Sequence, residues 1–341
     1  MSAQGGSEPE GLPGEAVYPS PGRPGAPLHP MAGLPAKVEV WEVGPRDGLQ
    51  NETSVVPTAV KTEFVERLVS AGLRTVEVTS FVSARWVPQL ADAAELLAAL
   101  PRRQGVRFPV LVPNLAGLER ALASGARDVA VFASATESFS RRNLNRSVDE
   151  SIAMFSRVVE RARAEGLAVR GYLSMCFADP WEGPVPPART AAVARRLVDI
   201  GCDQVSVGDT IGVATPGQVW EVIDAMGERG IAPGDLAVHF HDTYGQALAN
   251  TLAAMQRGVA TVDSSAGGIG GCPFAHSATG NLATEDLVWQ LHGLGIDTGI
   301  DLAALAGTSA WMAERLGRRS VSKVVRALSA GGSGAKEQLS R

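Results

Sequence analysis

The sequence predicts an α/β fold, a (β/α)8 TIM barrel with extra C-terminal helices. Short β-rich runs alternate with longer helical patterns along the chain, which is typical of βα units around a parallel sheet. We count eight such units across about 290 residues, whereas a barrel of this kind typically takes about 250 residues. The remaining residues, roughly 40, suffice for extra helices after the eighth unit.

Eight strands are predicted from runs of β-branched and other apolar residues. They are 38–43, 75–80, 106–112, 127–132, 168–174, 203–208, 236–241 and 259–263. The clearest helical patterns between them are 58–71, 88–100, 149–165, 188–200, 216–229 and 245–257. Glycine follows several of these helices directly, as at Gly72 and Gly201, where a left-handed cap ends a helix.

A doubly wound open sheet is the alternative fold. That fold would favour a G-x-G-x-x-G turn after the first strand. The residues at this place, 43–48, read VGPRDG and do not supply that turn. The barrel is therefore the better prediction.

Three regions are predicted along the chain. Residues 1–36 contain eight prolines and seven glycines without a periodic apolar pattern, which is typical of a disordered tail. Residues 37–329 would form the barrel with its C-terminal helices. Residues 330–341 begin with a Gly/Ser-rich run and are predicted to be a flexible C-terminal tail.

The composition excludes several classes of protein. A formal net charge of -5 and a pI near 5.6 argue against a nucleic-acid partner, because such binding needs clustered lysine and arginine. The apolar stretches are shorter than the roughly 20 residues that span a bilayer, so no membrane partner is expected. Three cysteines are too few for a disulfide framework, and the tail lacks the pattern of an organelle signal. A cytoplasmic location fits best.

Polar residues lie in, at the end of, or just past the predicted strands, at the rim where a TIM barrel carries its active site. The candidates on five strands are Arg46, Asp47, Glu77, Ser80, Asp209, His239, His241, Cys272 and Asn281. Strands 7, 8 and 1 become neighbours when the barrel closes. The sequence therefore predicts one shared site at this rim.

His239 and His241 lie two residues apart in a strand, so both imidazoles point to the same face. This geometry suits two metal ligands, although either histidine could instead be a satisfied rim residue. Asp47 and Asn281 add oxygen donors from adjacent strands. A mixed nitrogen and oxygen set suits Mn, Zn or Co, with Mg possible if water completes the coordination.

Cys272 lies among the glycines of a segment that could close over a substrate. Cys176, just past strand 5, is the other thiol that could line the site, and Cys202 is expected to be an inert apolar residue. Arg46 is suited to hold an oxyanion because its guanidinium stays charged. Glu77 stands between two valines and could pair with Arg46, or fill the barrel as a structural carboxylate.

Several motifs resemble the 3-hydroxy-3-methylglutaryl-CoA lyase family of DRE-TIM metallolyases, over residues 37 to 328. They are residues 43–52 (VGPRDGLQNE), 79–83 (TSFVS), 207–212 (VGDTIG), 239–250 (HFHDTYGQALAN), 270–274 (GGCPF) and 280–286 (GNLATED). The resemblance implies cleavage of 3-hydroxy-3-methylglutaryl-CoA to acetoacetate and acetyl-CoA. It also implies a divalent metal cation, Mg or Mn, no redox cofactor, an acyl-CoA substrate and a homodimer.

The resemblance also implies roles for particular residues. Asp47, His239, His241 and Asn281 would bind the metal. Arg46 would stabilise the enolate oxygen of the departing thioester, and Cys272 would transfer a proton. Glu77 and Asp209 would belong to the catalytic group. The supporting positions would be Glu285, Ser80 and Gln50.

Two other functions are compatible with these motifs. The first is a related lyase or Claisen-type synthase that acts on another 3-hydroxy-3-carboxyalkyl acyl-CoA. The Gly-Gly-Cys-Pro segment at Cys272 argues against the synthase. The second is a non-catalytic acyl-CoA-binding barrel, which would require the loss of a catalytic group. None of the expected groups is missing from the sequence.

Overall fold

A computed structural model of the chain describes residues 28–271 and 280–329. Its main sheet is parallel and contains β1 (Glu39–Glu42), β2 (Thr75–Val76), β3 (Thr79–Ser80), β4 (Val110–Leu111), β5 (Asp128–Ser134), β6 (Ala168–Ser174), β9 (Gln204–Asp209), β10 (Leu236–Phe240) and β11 (Thr261–Ser264). A short antiparallel hairpin after β6 contributes β7 (Ala178–Asp179) and β8 (Gly183–Pro184). The strand order is β2-β1-β11-β10-β9-β6-β5-β4-β3.

The two ends of this strand order meet, because β2 and β3 belong to one extended stretch. β1 pairs with β2, and β3 pairs with β4. Between them, the Glu77 N–H donates to the Glu42 carbonyl at 2.8 Å and the Val78 N–H donates to the Pro109 carbonyl at 3.1 Å. The sheet therefore closes into a barrel, as the sequence predicts. The barrel has eight staves, because β2 and β3 together form one stave and each of the other seven strands forms its own.

One or two helices follow each stave. They are α1 (Thr58–Ser70), α2 (Ala93–Ala99), α3 (Leu115–Ala123), α4 (Glu137–Leu144), α5 (Val148–Ala164), α6 (Pro187–Asp199), α7 (Pro216–Glu228), α8 (Ala247–Gln256) and α9 (Thr284–Gly293). The predicted extra C-terminal helices are also present, as α10 (Leu302–Arg315) and a helical segment at 323–329. α10 packs on α1 through Phe64 and Trp311, whose ring centroids are 6.5 Å apart.

The predicted helix 88–100 is wrong in its first half. A 3-10 turn at Pro88–Leu90 precedes α2. Between the two, Asp92 leaves the helical path, and its carboxylate accepts hydrogen bonds from Thr58 at 2.8 Å and Lys61 at 2.7 Å on α1. The first turn of the predicted helix is therefore absent, and at this place Asp92 contacts α1 instead.

The predicted strand 106–112 is regular only at Val110–Leu111. Proline lacks the N–H that a ladder requires, and Pro109 interrupts the run at this place. Arg107 still accepts from the Val76 N–H at 3.1 Å, so the chain follows the neighbouring stave without forming a continuous strand.

The interior of the barrel is unusually polar. TIM barrels normally fill this space with branched apolar side chains. Here Arg170 on β6 donates to Asp263 on β11, and Tyr172 on β6 donates to Glu77 between β2 and β3. Because these strands are not neighbours, the hydrogen bonds must cross the interior. The apolar core lies instead between the staves and the surrounding helices.

The boundaries of the terminal regions stay a prediction. Within residues 28–36, the His29 N–H donates to the Gly293 carbonyl at 2.9 Å. None of the helices in the described ranges has the length and apolar character to span a membrane.

Candidate active site

The chain leaves β1 through a single π-helical turn, Gly44–Gly48. The N–H groups of Arg46, Asp47 and Gly48 all donate to the Val43 carbonyl, at 3.1, 2.8 and 3.2 Å. The Gly44 N–H is taken by the Glu42 carboxylate at 2.8 Å. Single π-helical turns are frequent at functional sites. This turn presents Arg46 and Asp47 together at the mouth of the barrel.

Asp47 meets the two predicted histidines at this mouth. One ligand atom each of Asp47, His239 and His241 lies within 4.8 Å of the others, a spacing that could hold a metal ion. The two imidazole centroids are 5.4 Å apart, as expected for side chains on the same face of β10 and its extension. Asn281 joins this group, since its amide N–H₂ donates to the Asp47 carboxylate at 2.9 Å.

The free polar atoms at this place fit a cation. The amide nitrogen of Asn281 is used by Asp47 and by the Ile269 carbonyl at 3.1 Å. Asn281 Oδ1 and His241 Nδ1 are buried and have no hydrogen-bond partner among the described residues. Buried polar atoms without a partner are uncommon. The amide oxygen carries lone pairs for a metal, and so does Nδ1 in the tautomer with hydrogen on Nε2. The donor set of carboxylate, amide oxygen and imidazole suits a divalent cation.

The surroundings shift the pKa of the carboxylate and of both imidazoles. Burial would raise the pKa of Asp47, but the positive charges around it, chiefly Arg46, outweigh burial and lower the pKa to about 2. Burial, assisted by His239, lowers the pKa of His241 to about 4. Burial is the largest influence on His239 and acts to lower its pKa, but the hydrogen bond and charge of Asp263, together with the charge of Asp47, outweigh burial and raise the pKa. Asp47 is therefore ionised and His241 neutral.

Arg46 is held by several contacts and is 6% exposed. Its Nε donates to the Glu77 carboxylate, and its Nη1 donates to Asp47 at 2.6 Å. The guanidinium carbon lies 5.4 Å from the ring centroid of Tyr172. Glu77 is fully buried and also accepts from the Tyr172 hydroxyl and from Trp41 Nε1 at 3.3 Å. Glu77 thus orients Arg46, as its place between two valines allows.

Tyr172 is a site residue that sequence reasoning missed. It lines a cavity of about 220 Å³ together with Arg46, Asp47, Gln50 and both histidines. Burial and the charge of Glu77 raise the pKa of its hydroxyl, so the group remains a donor. The signal was present in strand 168–174, where arginine, tyrosine and serine alternate at 170, 172 and 174.

The remaining predicted residues support the loops around the site. The Asp209 carboxylate accepts from the N–H groups of Val213 and Ala214 at 3.1 and 2.9 Å, and burial raises its pKa to about 6. The Ser80 hydroxyl accepts from the Val82 N–H at 3.3 Å. Asp209 and Ser80 therefore shape turns next to the mouth.

Glu285 lies at the start of α9 and holds the turn that follows β11. Both of its carboxylate oxygens accept from the Gly267 N–H at 3.0 Å, and the Ser309 hydroxyl also donates to it. Burial raises the pKa of Glu285 to about 7. This turn leads toward residues 272–279.

Cys272 and the rest of 272–279 lie outside the described residues. The residues on either side of this segment make contacts that the structure does describe. The Asp242 N–H donates to the Gly280 carbonyl at 3.2 Å. A Cβ on Gly280 would lie 2.6 Å from the Gly268 carbonyl oxygen and also against the Gly270 carbonyl. Backbone therefore packs directly on backbone where the segment begins and ends.

Cys176 does not line the site. It is fully buried, its thiol contacts the Leu173 carbonyl at 3.0 Å, and burial raises its pKa. Cys202 is also buried in the apolar core, as expected. Neither thiol is suited to react with a substrate.

The model of the HMGL-like family matches residues 37–312. The chain belongs to this family. A cytoplasmic 3-hydroxy-3-methylglutaryl-CoA lyase of Rattus norvegicus is 49% identical over 297 residues, 87% of this chain and 86% of that protein. A mitochondrial hydroxymethylglutaryl-CoA lyase of Bos taurus is 51% identical over 294 residues, 86% and 90% of the two chains.

A solved structure agrees with this family membership. The hydroxymethylglutaryl-CoA lyase from Pseudomonas aeruginosa is 48% identical and superposes with a TM-score of 0.86. The match covers 88% of this chain and 99% of that chain. Nearly the whole of that relative therefore has a counterpart in this chain.

Proposed function

We propose that this chain is a carbon–carbon lyase that cleaves 3-hydroxy-3-methylglutaryl-CoA to acetoacetate and acetyl-CoA, with Mg or Mn as its cation. The observation that carries this proposal is the position of the Arg46 guanidinium, 2.6 Å from an Asp47 that also belongs to the cation cluster with His239 and His241. The lyases named above are about half identical to this chain and support the same reaction.

The reaction breaks the C2–C3 bond of the substrate. A base at the site takes the proton of the tertiary hydroxyl, whose oxygen becomes the ketone oxygen of acetoacetate, while the electron pair of the C2–C3 bond moves to C2 and onto the thioester oxygen. A divalent cation bound by Asp47, His239, His241 and Asn281 supplies Lewis acidity for substrate oxygens. A proton must then reach C2 to complete acetyl-CoA.

Arg46 is the residue that stabilises the charge on the thioester oxygen. Glu77 accepts from its Nε and Asp47 from its Nη1, and we assign Nη2 to the thioester oxygen. These two carboxylates and the ring of Tyr172 fix the plane of the guanidinium. A donor fixed in advance stabilises a developing oxyanion without reorganising during the reaction.

The activity is tested with purified protein, Mg or Mn, and a panel of 3-hydroxy-3-carboxyalkyl CoA thioesters. We expect equal amounts of acetyl-CoA and acetoacetate from 3-hydroxy-3-methylglutaryl-CoA, and none after the metal is removed with EDTA. Condensation of acetyl-CoA with a keto acid would identify a synthase instead. Binding without turnover under all metals would contradict the lyase assignment.

Cys272 is proposed to deliver the proton to C2. We expect iodoacetamide to inactivate the enzyme by alkylating Cys272, because Cys176 and Cys202 are 0% and 5% exposed. A non-cleavable acyl-CoA analogue should protect the enzyme. Mass spectrometry of the alkylated peptides checks the site. Inactivation that follows Cys176, or full activity of Cys272→Ala, would remove Cys272 from the mechanism.

A homodimer and a cytoplasmic location complete the proposal. The dimer is supported only by the resemblance to the lyase family. The relatives include both cytoplasmic and mitochondrial lyases, so the family is compatible with either compartment. Light scattering after gel filtration would measure the oligomeric state.

A further inference from the structure

Asp263 is a buried carboxylate directly beneath the cation cluster. It lies on β11, in register with His239 on β10. Its Oδ2 atom is 3.3 Å from Nδ1 of His239 and accepts from the Ser206 hydroxyl at 2.8 Å. Its Oδ1 atom accepts from Arg170 Nη2 at 2.6 Å. With 1% of its surface exposed, Asp263 depends on these three groups.

Arg170 is the counter-ion that keeps Asp263 charged. It is 3% exposed, and its guanidinium carbon lies 4.0 Å from the ring centroid of Trp41. Its Nε and Nη1 atoms have no hydrogen-bond partner among the described residues, so the ion pair with Asp263 is its main polar contact. A buried arginine of this kind strongly favours an ionised partner.

An ionised carboxylate only accepts hydrogen bonds. A hydrogen bond between Asp263 and His239 therefore requires the proton of a neutral imidazole to be on Nδ1. The lone pair is then on Nε2, the atom that remains to bind a cation. The second imidazole differs, because His241 Nδ1 has no partner among the described residues.

We propose that Asp263 is a positioning residue that fixes His239 in the tautomer with hydrogen on Nδ1, with Arg170 and Ser206 holding the carboxylate in place. This inference rests on the proposed function insofar as His239 is a metal ligand there. Partners of this kind orient ligating histidines, and their loss typically weakens metal binding about 10- to 100-fold. His239 is thus oriented for the cation by a carboxylate, whereas Nδ1 of His241 has no such partner among the described residues.

The tautomer is measured on the full chain, stripped of metal and labelled with ¹⁵N-histidine. A pH titration of the same signals first gives the pKa of His239, and at a pH about 2 units above it the imidazole is neutral and its nitrogen shifts report the tautomer. The chain has five histidines, and His239→Ala identifies the signals of His239. We expect hydrogen on Nδ1 in the wild type and a shift toward Nε2 in Asp263→Asn, whose amide can donate to Nδ1.

Metal affinity provides the second measurement. We expect Asp263→Asn to weaken Mn²⁺ binding, followed by electron paramagnetic resonance, about 10- to 100-fold. In a His239→Ala background the same change should weaken binding less than about 2-fold, because Asp263 acts through His239. Asp128→Asn is the matched control, since Asp128 pairs with Arg107 at the far end of β5, and should leave affinity unchanged.

Asp263→Asn leaves Arg170 without its counter-ion and could fail to fold. Ser206→Ala avoids this problem, because the ion pair stays intact and only one hydrogen bond to Asp263 is lost. We expect this variant to fold normally and to bind Mn²⁺ a few-fold more weakly. Its His239 tautomer should also become mixed.

Two results would overturn the proposal. One is a wild-type His239 with hydrogen on Nε2, and the other is equal weakening of Mn²⁺ binding by Asp263→Asn with and without His239. Both measurements are made without substrate. The two measurements can therefore be interpreted even if the lyase assay fails. The lyase assay can likewise be interpreted if these two measurements contradict the role of Asp263.

Discussion

Replacing Arg46 with lysine is expected to lower kcat about 100-fold or more while the barrel remains folded. The guanidinium donates simultaneously to Glu77 and Asp47 and packs on the Tyr172 ring. An ammonium is a point charge that cannot make the planar, forked contact and still reach the thioester oxygen. Steady-state kinetics with 3-hydroxy-3-methylglutaryl-CoA measure the loss, and circular dichroism checks the fold.

The matched control for this change is Arg67→Lys. Arg67 lies on α1 and forms an exposed ion pair with Glu63 at 2.7 Å, so its replacement should leave kcat unaltered. A rise in KM alone in Arg46→Lys would contradict the assigned role. It would mean that Arg46 binds substrate and transition state equally well.

His241→Ala should abolish cleavage and weaken Mn²⁺ binding by a factor of about 10 or more. His241 is buried next to Asp47 and His239, and its low pKa of about 4 keeps it neutral at physiological pH. Alanine removes a nitrogen ligand and leaves a gap that water can fill only in part. Calorimetric titration with Mn²⁺ checks the affinity.

His29→Ala is the control, because His29 is exposed and lies in the segment before β1. It should bind Mn²⁺ as the wild type does. If His241→Ala retains wild-type affinity for Mn²⁺, His241 is not a ligand, and the cluster around Asp47 must serve another purpose.

The fold was largely predictable because each βα unit carries its own local signals. Periodicity placed the eight staves, and the glycine after α1, Gly72, ends that helix with a φ of 107° as expected. One tertiary contact and one proline account for the two exceptions. Asp92 turns from its own helix to α1, and Pro109 removes a ladder hydrogen bond, which a pattern of apolar residues does not reveal.

The mouth of the site was predictable for a different reason. Residues that end parallel strands share one rim, so Asp47 and the two histidines could be brought together without knowing any distance. The layer beneath them was not predictable. Arg170, Tyr172 and Asp263 meet across the interior of the barrel, and that meeting depends on strand tilt and register, which one sequence does not specify.

The backbone contacts around Gly268, Gly270 and Gly280 make the intervening segment an exchangeable part. Their carbonyls and glycines close a stem that belongs to the barrel, so a replacement for 273–279 that keeps Cys272 would start and finish at fixed points. Grafts of different length and chemistry could therefore be screened on one unchanged scaffold, which would let new acyl substrates be sought without redesigning the cation cluster.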